Sequence, residues 1–232
     1  MCVINVGGTL NENELLYVGI GWIFGIVATI VGSITVWKYQ NHNKKSELKK
    51  GLKAELKQAK LVLISGYLQL FIKQGNIDGV NWDTIIKYYR MLFMEAREFA
   101  HWFEPDTDFT GINNLTNEMI IKNITTSHDR NKLNTRFELM RPVNLPYLNS
   151  RLNELSLLSE ECQRNIYAII RDIYVINNQI DMLQYYFKET FNSNIDRENR
   201  EIMDTNISQG YDEIMSLSLK AIRNIEYVIE KL

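Results

Sequence analysis

Three observations predict an all-α fold, with one N-terminal transmembrane helix followed by a cytoplasmic helical bundle that ends in a long antiparallel hairpin. Leu15–Trp37 is a run of 23 residues without a charge. Beyond it, apolar residues recur at alternating spacings of four and three, and nowhere alternate over strand length. Only 3 Pro and 12 Gly punctuate 232 residues, a composition that leaves long helices uninterrupted.

As a helix rising ~1.5 Å per residue, the charge-free run is about 34 Å long, enough to cross a ~30 Å hydrocarbon core with some tilt. A single span must be helical, because lipid offers no partner to an unpaired backbone N–H or C=O. A buried core helix rarely runs so far without a charge. A cleaved signal has a shorter apolar stretch with a basic residue ahead of it, whereas Glu12 and Glu14 precede this one. The expected organisation is a polar tail over 1–14, a transmembrane helix over 15–38 and a bundle over 39–232. Tyr17 near one end, and Trp37 and Tyr39 at the other, suit interfacial anchoring. Lys38, Lys44, Lys45, Lys49, Lys50 and Lys53 follow the span. Lys-rich flanks stay in the cytoplasm, so the tail is expected outside and the bundle inside the inner (plasma) membrane.

Gly21, Gly25, Ala28 and Gly32 follow one another at steps of four, three and four, along one face of the span. Small-xxx-small pairs of this kind let two helix backbones approach closely, so this face is the expected site of self-association.

About 190 residues lie beyond the span, enough for one domain with a good core. Residues 1–60 carry a balance of +4 and the remainder −6. A basic neck beside an acidic body suits attraction to anionic lipid headgroups. It does not suit nucleic acid, which asks for a basic face on the body. Cys2 and Cys162 fall on opposite sides of the expected membrane and form no intramolecular disulfide. Asn114, Asn123 and Asn206 head glycosylation-type triplets, which carry no meaning on a cytoplasmic domain.

Along the body, Asn41-His42-Asn43 predicts a weak point, followed by a helix over 44–73 with Leu52, Leu56, Ala59, Leu63, Gly66 and Leu70 on one seam. Its apolar second half, Leu61–Ile72, is too short to span and reads as a core helix. A helix over 82–103 follows, capped by Asn81 or Asp83. Two short helices are predicted over 113–125 and 128–140, with a break at Thr126-Ser127. Pro146 in a first turn opens the longest pattern, a helix predicted unbroken over 146–190, about 67 Å. Leu148, Leu152, Leu155, Ser159, Cys162, Ile166 and so on to Phe187 mark its seam. Asn192-Ser193-Asn194 turns the chain into a last helix over 195–231. Apolar residues off the hairpin seam, such as Leu158, Ile170 and Ile222, ask for further helices against it.

No motif carries chemistry. Glu98 and His101 form a single Glu-x-x-His pair, whereas a di-iron bundle needs two and two further glutamates. Arg97 and His101 are separated by three residues, fewer than the four to six of HEPN-type ribonucleases. Asp106, Asp108 and Gly111 open like a calcium loop, but its twelfth position is Asn117 and Glu118 comes one residue late. No catalytic residue, metal site or cofactor is expected. In architecture alone, the chain resembles bacterial proteins with one N-terminal anchor and a cytoplasmic helical bundle. Some of these are division or envelope scaffolds and others are membrane effectors of anti-phage systems. The expectation is a non-enzymatic, membrane-tethered scaffold that forms homo-oligomers and binds another protein. A membrane-permeabilising defence effector is the alternative, and an enzyme with an unrecognised site comes third.

Overall fold

The computed structural model describes residues 12–74, 81–95, 116–132, 140–192 and 194–232. Every regular element among them is helical: α1 (Glu12–Gln74), α2 (Trp82–Glu95), α3 (Asn117–Lys132), α4 (Pro146–Ser150), a 3₁₀ turn (Leu152–Leu157), α5 (Glu160–Thr190) and α6 (Arg197–Lys231). The chain divides into two units at Leu48.

The described residues of the first unit, 12–48, are all helix. Among the described residues, α1 is the one helix long and apolar enough to cross a membrane, and its apolar window is fully exposed. The weak point expected at Asn41-His42-Asn43 is not a break, since α1 is continuous through it. Three polar residues in a row do not interrupt a helix that lacks Pro and Gly there; they only withhold packing.

In the second unit, residues 49–232, buried apolar side chains come from α1, α2, α3, the segment ahead of α5, α5 and α6, and α5 packs on α6. Leu52, Leu56, Leu63 and Leu70, on the predicted seam of α1, are buried. Cys162, Ile166, Ile169, Ile173, Ile176, Ile180 and Leu183 of α5 are buried as the spacing predicts. So are Tyr211, Ile214, Ser218, Ala221, Ile225 and Val228 of α6. The two helices run antiparallel: Glu161 meets Tyr227, Asp172 meets Lys220 and Gln179 meets Glu213, the numbers rising on α5 as they fall on α6. Gly210 leaves room for Leu183, whose side chain a Cβ there would strike. Leu158 and Ile222, off the hairpin seam, are buried too, as a bundle requires. Lys87 of α2 reaches Glu226 of α6 at 3.3 Å.

Four sequence expectations are corrected. The helix predicted over 146–190 is broken twice, into α4, the 3₁₀ turn and α5. Ser159, assigned to the seam, is the N-cap of α5: its side chain accepts the Cys162 N–H at 3.4 Å, and Glu160 and Glu161 fill the favourable first turn. Leu152, also assigned to the seam, is exposed, while Leu148 and Leu155 are buried. The break predicted at Thr126-Ser127 is absent, because α3 runs through it. There Thr125 turns its hydroxyl back to the Ile121 and Lys122 carbonyls at 3.0 Å, so the polar run stays inside the helix. The helix predicted over 82–103 is described to Glu95, and its cap is Asn81, whose Oδ1 accepts the Thr84 N–H at 3.2 Å.

Candidate functional site

In the first unit, a shallow groove along α1 is lined by Gly21, Trp22, Gly25, Ile26, Thr29 and Ile30. At Gly21, Gly25 and Gly32 the space a Cβ would occupy has no neighbour within 4 Å. Gly21 and Gly25 form the floor of the groove. Ala28 and Gly32 continue the same face by helical spacing and are exposed. The two threonines of the span return their hydroxyls to the helix, Thr29 to the Gly25 carbonyl and Thr35 to the Val31 carbonyl, each at 2.8 Å. Hydroxyls satisfied this way can enter hydrocarbon without an unpaired polar group. Lys38, Lys44, Lys45, Lys50 and Lys53 are exposed. Lys49 departs from that set: it is half-buried and donates to the Leu232 carbonyl at 3.2 Å, a contact within the second unit.

The sequence reading missed two polar clamps in the second unit. Pro146 opens α4 without a Ser, Thr, Asp or Asn cap, and the residue ahead of it, Leu145, provides none. Glu55 of α1 supplies it from a distance in sequence: its two oxygens accept the Tyr147 and Leu148 N–H groups, each at 2.7 Å. An uncapped Pro-initiated helix was the available signal, since its first amides must be paired somewhere. Asn177 of α5 holds the chain ahead of α4 by accepting the Val143 N–H and donating to the Val143 carbonyl, both at 2.9 Å. Gly51 and Gly66 let this segment lie on α1, where a Cβ would run into Tyr147 and Met140 respectively.

A polar layer also crosses the α5/α6 seam. Asp172 is 2% exposed, and its Oδ1 accepts from Lys220 at 3.2 Å and from Arg171 at 3.0 and 3.2 Å. Among the described residues, its Oδ2 and the Ser218 hydroxyl are buried without a hydrogen-bond partner. An Asp beside Ile173 in an otherwise isoleucine-rich run was the signal for this layer. Buried ion pairs contribute little net stability, and their best-attested use is to set register.

The residues weighed for chemistry, Arg97, Glu98, His101, Asp106 and Asp108, lie outside the described residues. Asn117, at the twelfth position of the loop considered for calcium, accepts a hydrogen bond from Arg90 at 2.9 Å. Among the described residues no three His, Cys, Asp or Glu side chains converge as metal ligands, and Cys162 is free and buried. Burial raises the phenols of Tyr67, Tyr88 and Tyr89 above their usual range, and the Glu161 carboxylate bonded to Tyr227 raises that one. No protein-family model, curated protein or solved structure matches the chain.

Proposed function

We propose that the chain is a single-pass membrane protein whose anchor self-associates and whose helical body is a non-enzymatic platform for another protein. The observation that carries the reading is the contrast within the fold. One unit is an apolar helix with every side chain of its apolar window open to its surroundings. The other buries its own apolar seams. A helix apolar all round has no use in water and is at home in lipid. The Gly21–Gly25 groove on it is open where a second backbone would lie. The lysines that follow favour an orientation with the body on the cytoplasmic side, in which Lys38, Lys44 and Lys45 would lie near anionic headgroups.

Gly25→Ile tests the anchor, with Gly19→Ile off the face as its control. Both keep the span apolar and should insert equally. Gly25→Ile should weaken oligomers crosslinked in membranes by ~1–2 kcal/mol, while Gly19→Ile leaves them unchanged. Equal oligomer populations for the parent and both variants would remove the groove from the account. In the same membranes, a cytoplasm-dependent reporter fused after Leu232 should be active; activity only from a periplasm-dependent one would reverse the orientation. Dye entry that is lost with Gly25→Ile would assign the clustered anchors a permeabilising role.

A further inference from the structure

The basic stretch after the span is not basic all round. On the spacing that runs through Gly21, Gly25, Ala28 and Gly32, the next positions are Thr35, Tyr39, His42 and Ser46, at steps of three, four, three and four. None of them is charged. α1 is unbroken throughout, so by helical spacing they continue one line along the helix. Thr35, Tyr39 and His42 are exposed and Ser46 is half-buried. The charged residues between them, Lys38, Lys44 and Lys45, and Glu47 just after, all fall off the line. Lys38 and Lys45 flank it, and Lys44 lies on the far side of the helix. The line ends where its next position, Lys49, turns to the Leu232 carbonyl at 3.2 Å.

Small-residue pairs alone leave the crossing of two helices open. The right-handed crossing common for glycine pairs, about −40°, separates the axes by ~17 Å more at His42 than at Gly25. A strict alternation of fours and threes has a period of 3.5, which instead winds two helices left-handedly and keeps the same positions facing at every turn. Here the alternation holds from Gly21 to Ser46, about 38 Å of helix. In a parallel pair with that winding, Tyr39 and His42 meet their own copies, and Lys38 lies beside Asn43 of the second copy rather than beside a lysine. Both anchors then keep the same direction through the membrane.

We infer that the anchor's self-association face continues out of the membrane along Thr35, Tyr39, His42 and Ser46, and docks there on the same line of a second copy, parallel and in register. The inference rests on the proposal that the anchor self-associates; it adds where the contact ends and which hand it takes. The added contact is about 17 Å long, with an uncharged middle between flanking lysines. A contact this short suffices once the anchors are held side by side in one membrane.

The test places single cysteines in the full chain at Ala28 and at each residue from Thr35 to Glu47, in a Cys2→Ser background; Cys162 is buried. Membranes are then oxidised mildly and the disulfide-linked dimers counted. The yield at Ala28 reports the contact within the span. Yields at Tyr39, His42 and Ser46 should exceed those at Trp37, Asn41 and Lys44, on the far side of the helix, roughly fivefold. A crosslink at Ala28 with flat yields beyond Thr35, or with maxima at Trp37, Asn41 and Lys44, overturns the inference and leaves the anchor contact standing. No crosslink at Ala28 overturns both. His42→Lys gives a second readout, by energy transfer between labelled chains in vesicles. It sets two like charges together in the line and should lower the associated fraction roughly fivefold. Gln40→Lys, exposed and off the line, adds the same charge and should leave association unchanged. Equal association for these two variants also overturns the inference.

Discussion

Glu55→Ala puts the least local feature of the fold to the test. In the parent, one carboxylate accepts two backbone amides, Tyr147 and Leu148, each at 2.7 Å. Leu145, at the N-cap of α4, adds no side-chain cap. Charge-assisted hydrogen bonds are worth ~1.5–3 kcal/mol each where buried, and an N-cap about 1 kcal/mol. The site is half-buried, so water replaces part of what is lost, and we expect a destabilisation of about 2–3 kcal/mol. For a unit of this size that is a fall in Tm of roughly 4–12 °C. Glu55→Gln retains one acceptor and should fall by about half as much. Glu198→Ala, on an exposed position of α6, should stay within about 0.5 kcal/mol of the parent. The assay is thermal unfolding of the full chain in detergent, followed by circular dichroism at 222 nm, where the anchor helix persists and the body melts. If Glu55→Ala melted with the parent, α4 would not be held from α1, and the clamp would be a contact without energetic weight.

Two further outcomes follow from the core. Ile173→Asp places an unpaired carboxylate at a 4%-exposed position next to Asp172 and should cost about 4 kcal/mol or more in the same melt; an unchanged Tm would mean that the α5/α6 seam is misregistered. The buried phenols make stability fall at alkaline pH: Tyr67, Tyr88 and Tyr89 hold their protons above the ordinary pKa of 10.0, so the unfolded chain loses protons first. Their contribution is complete below that value and is lost as pH rises through the folded values. Denaturant melts should therefore begin to weaken above about pH 10, with delayed phenolate absorbance near 295 nm; a phenolate titration identical in folded and unfolded chain would refute it.

Fold class was legible because burial has a period. Ile166, Ile169, Ile173, Ile176 and Ile180 alternate by three and four, and all five are buried. The same signal hid the breaks before α5. A 3₁₀ turn repeats every third residue, close enough to helical spacing that Leu148 and Leu155 keep their places on the seam while the backbone changes. Only Ser159 with Glu160 and Glu161 behind it announces a new helix, and a cap signal inside a sustained seam is easily read as a seam position. On the candidate site, the small residues of the anchor were legible by spacing alone. Lys49 shows the limit of reading by charge: it looks like its neighbours in sequence, and only the fold turns it toward Leu232.

The features missed share one physical origin. Glu55, Asn177 and Asp172 are polar residues whose partners lie 92, 34 and 48 positions away, so no local pattern marks them. Each resolves a problem that apolar packing leaves open. Glu55 and Asn177 pair backbone amides of an irregular segment that would otherwise be half-buried and unpaired. Asp172 distinguishes one alignment of α5 on α6 from its neighbours one heptad away, where it would meet Glu213 or Tyr227 instead of Lys220. Isoleucine seams are nearly indifferent to such a slip; a buried carboxylate is not. The hydrophobic pattern thus accounts for which helices pack, and a few distant polar contacts account for how they align.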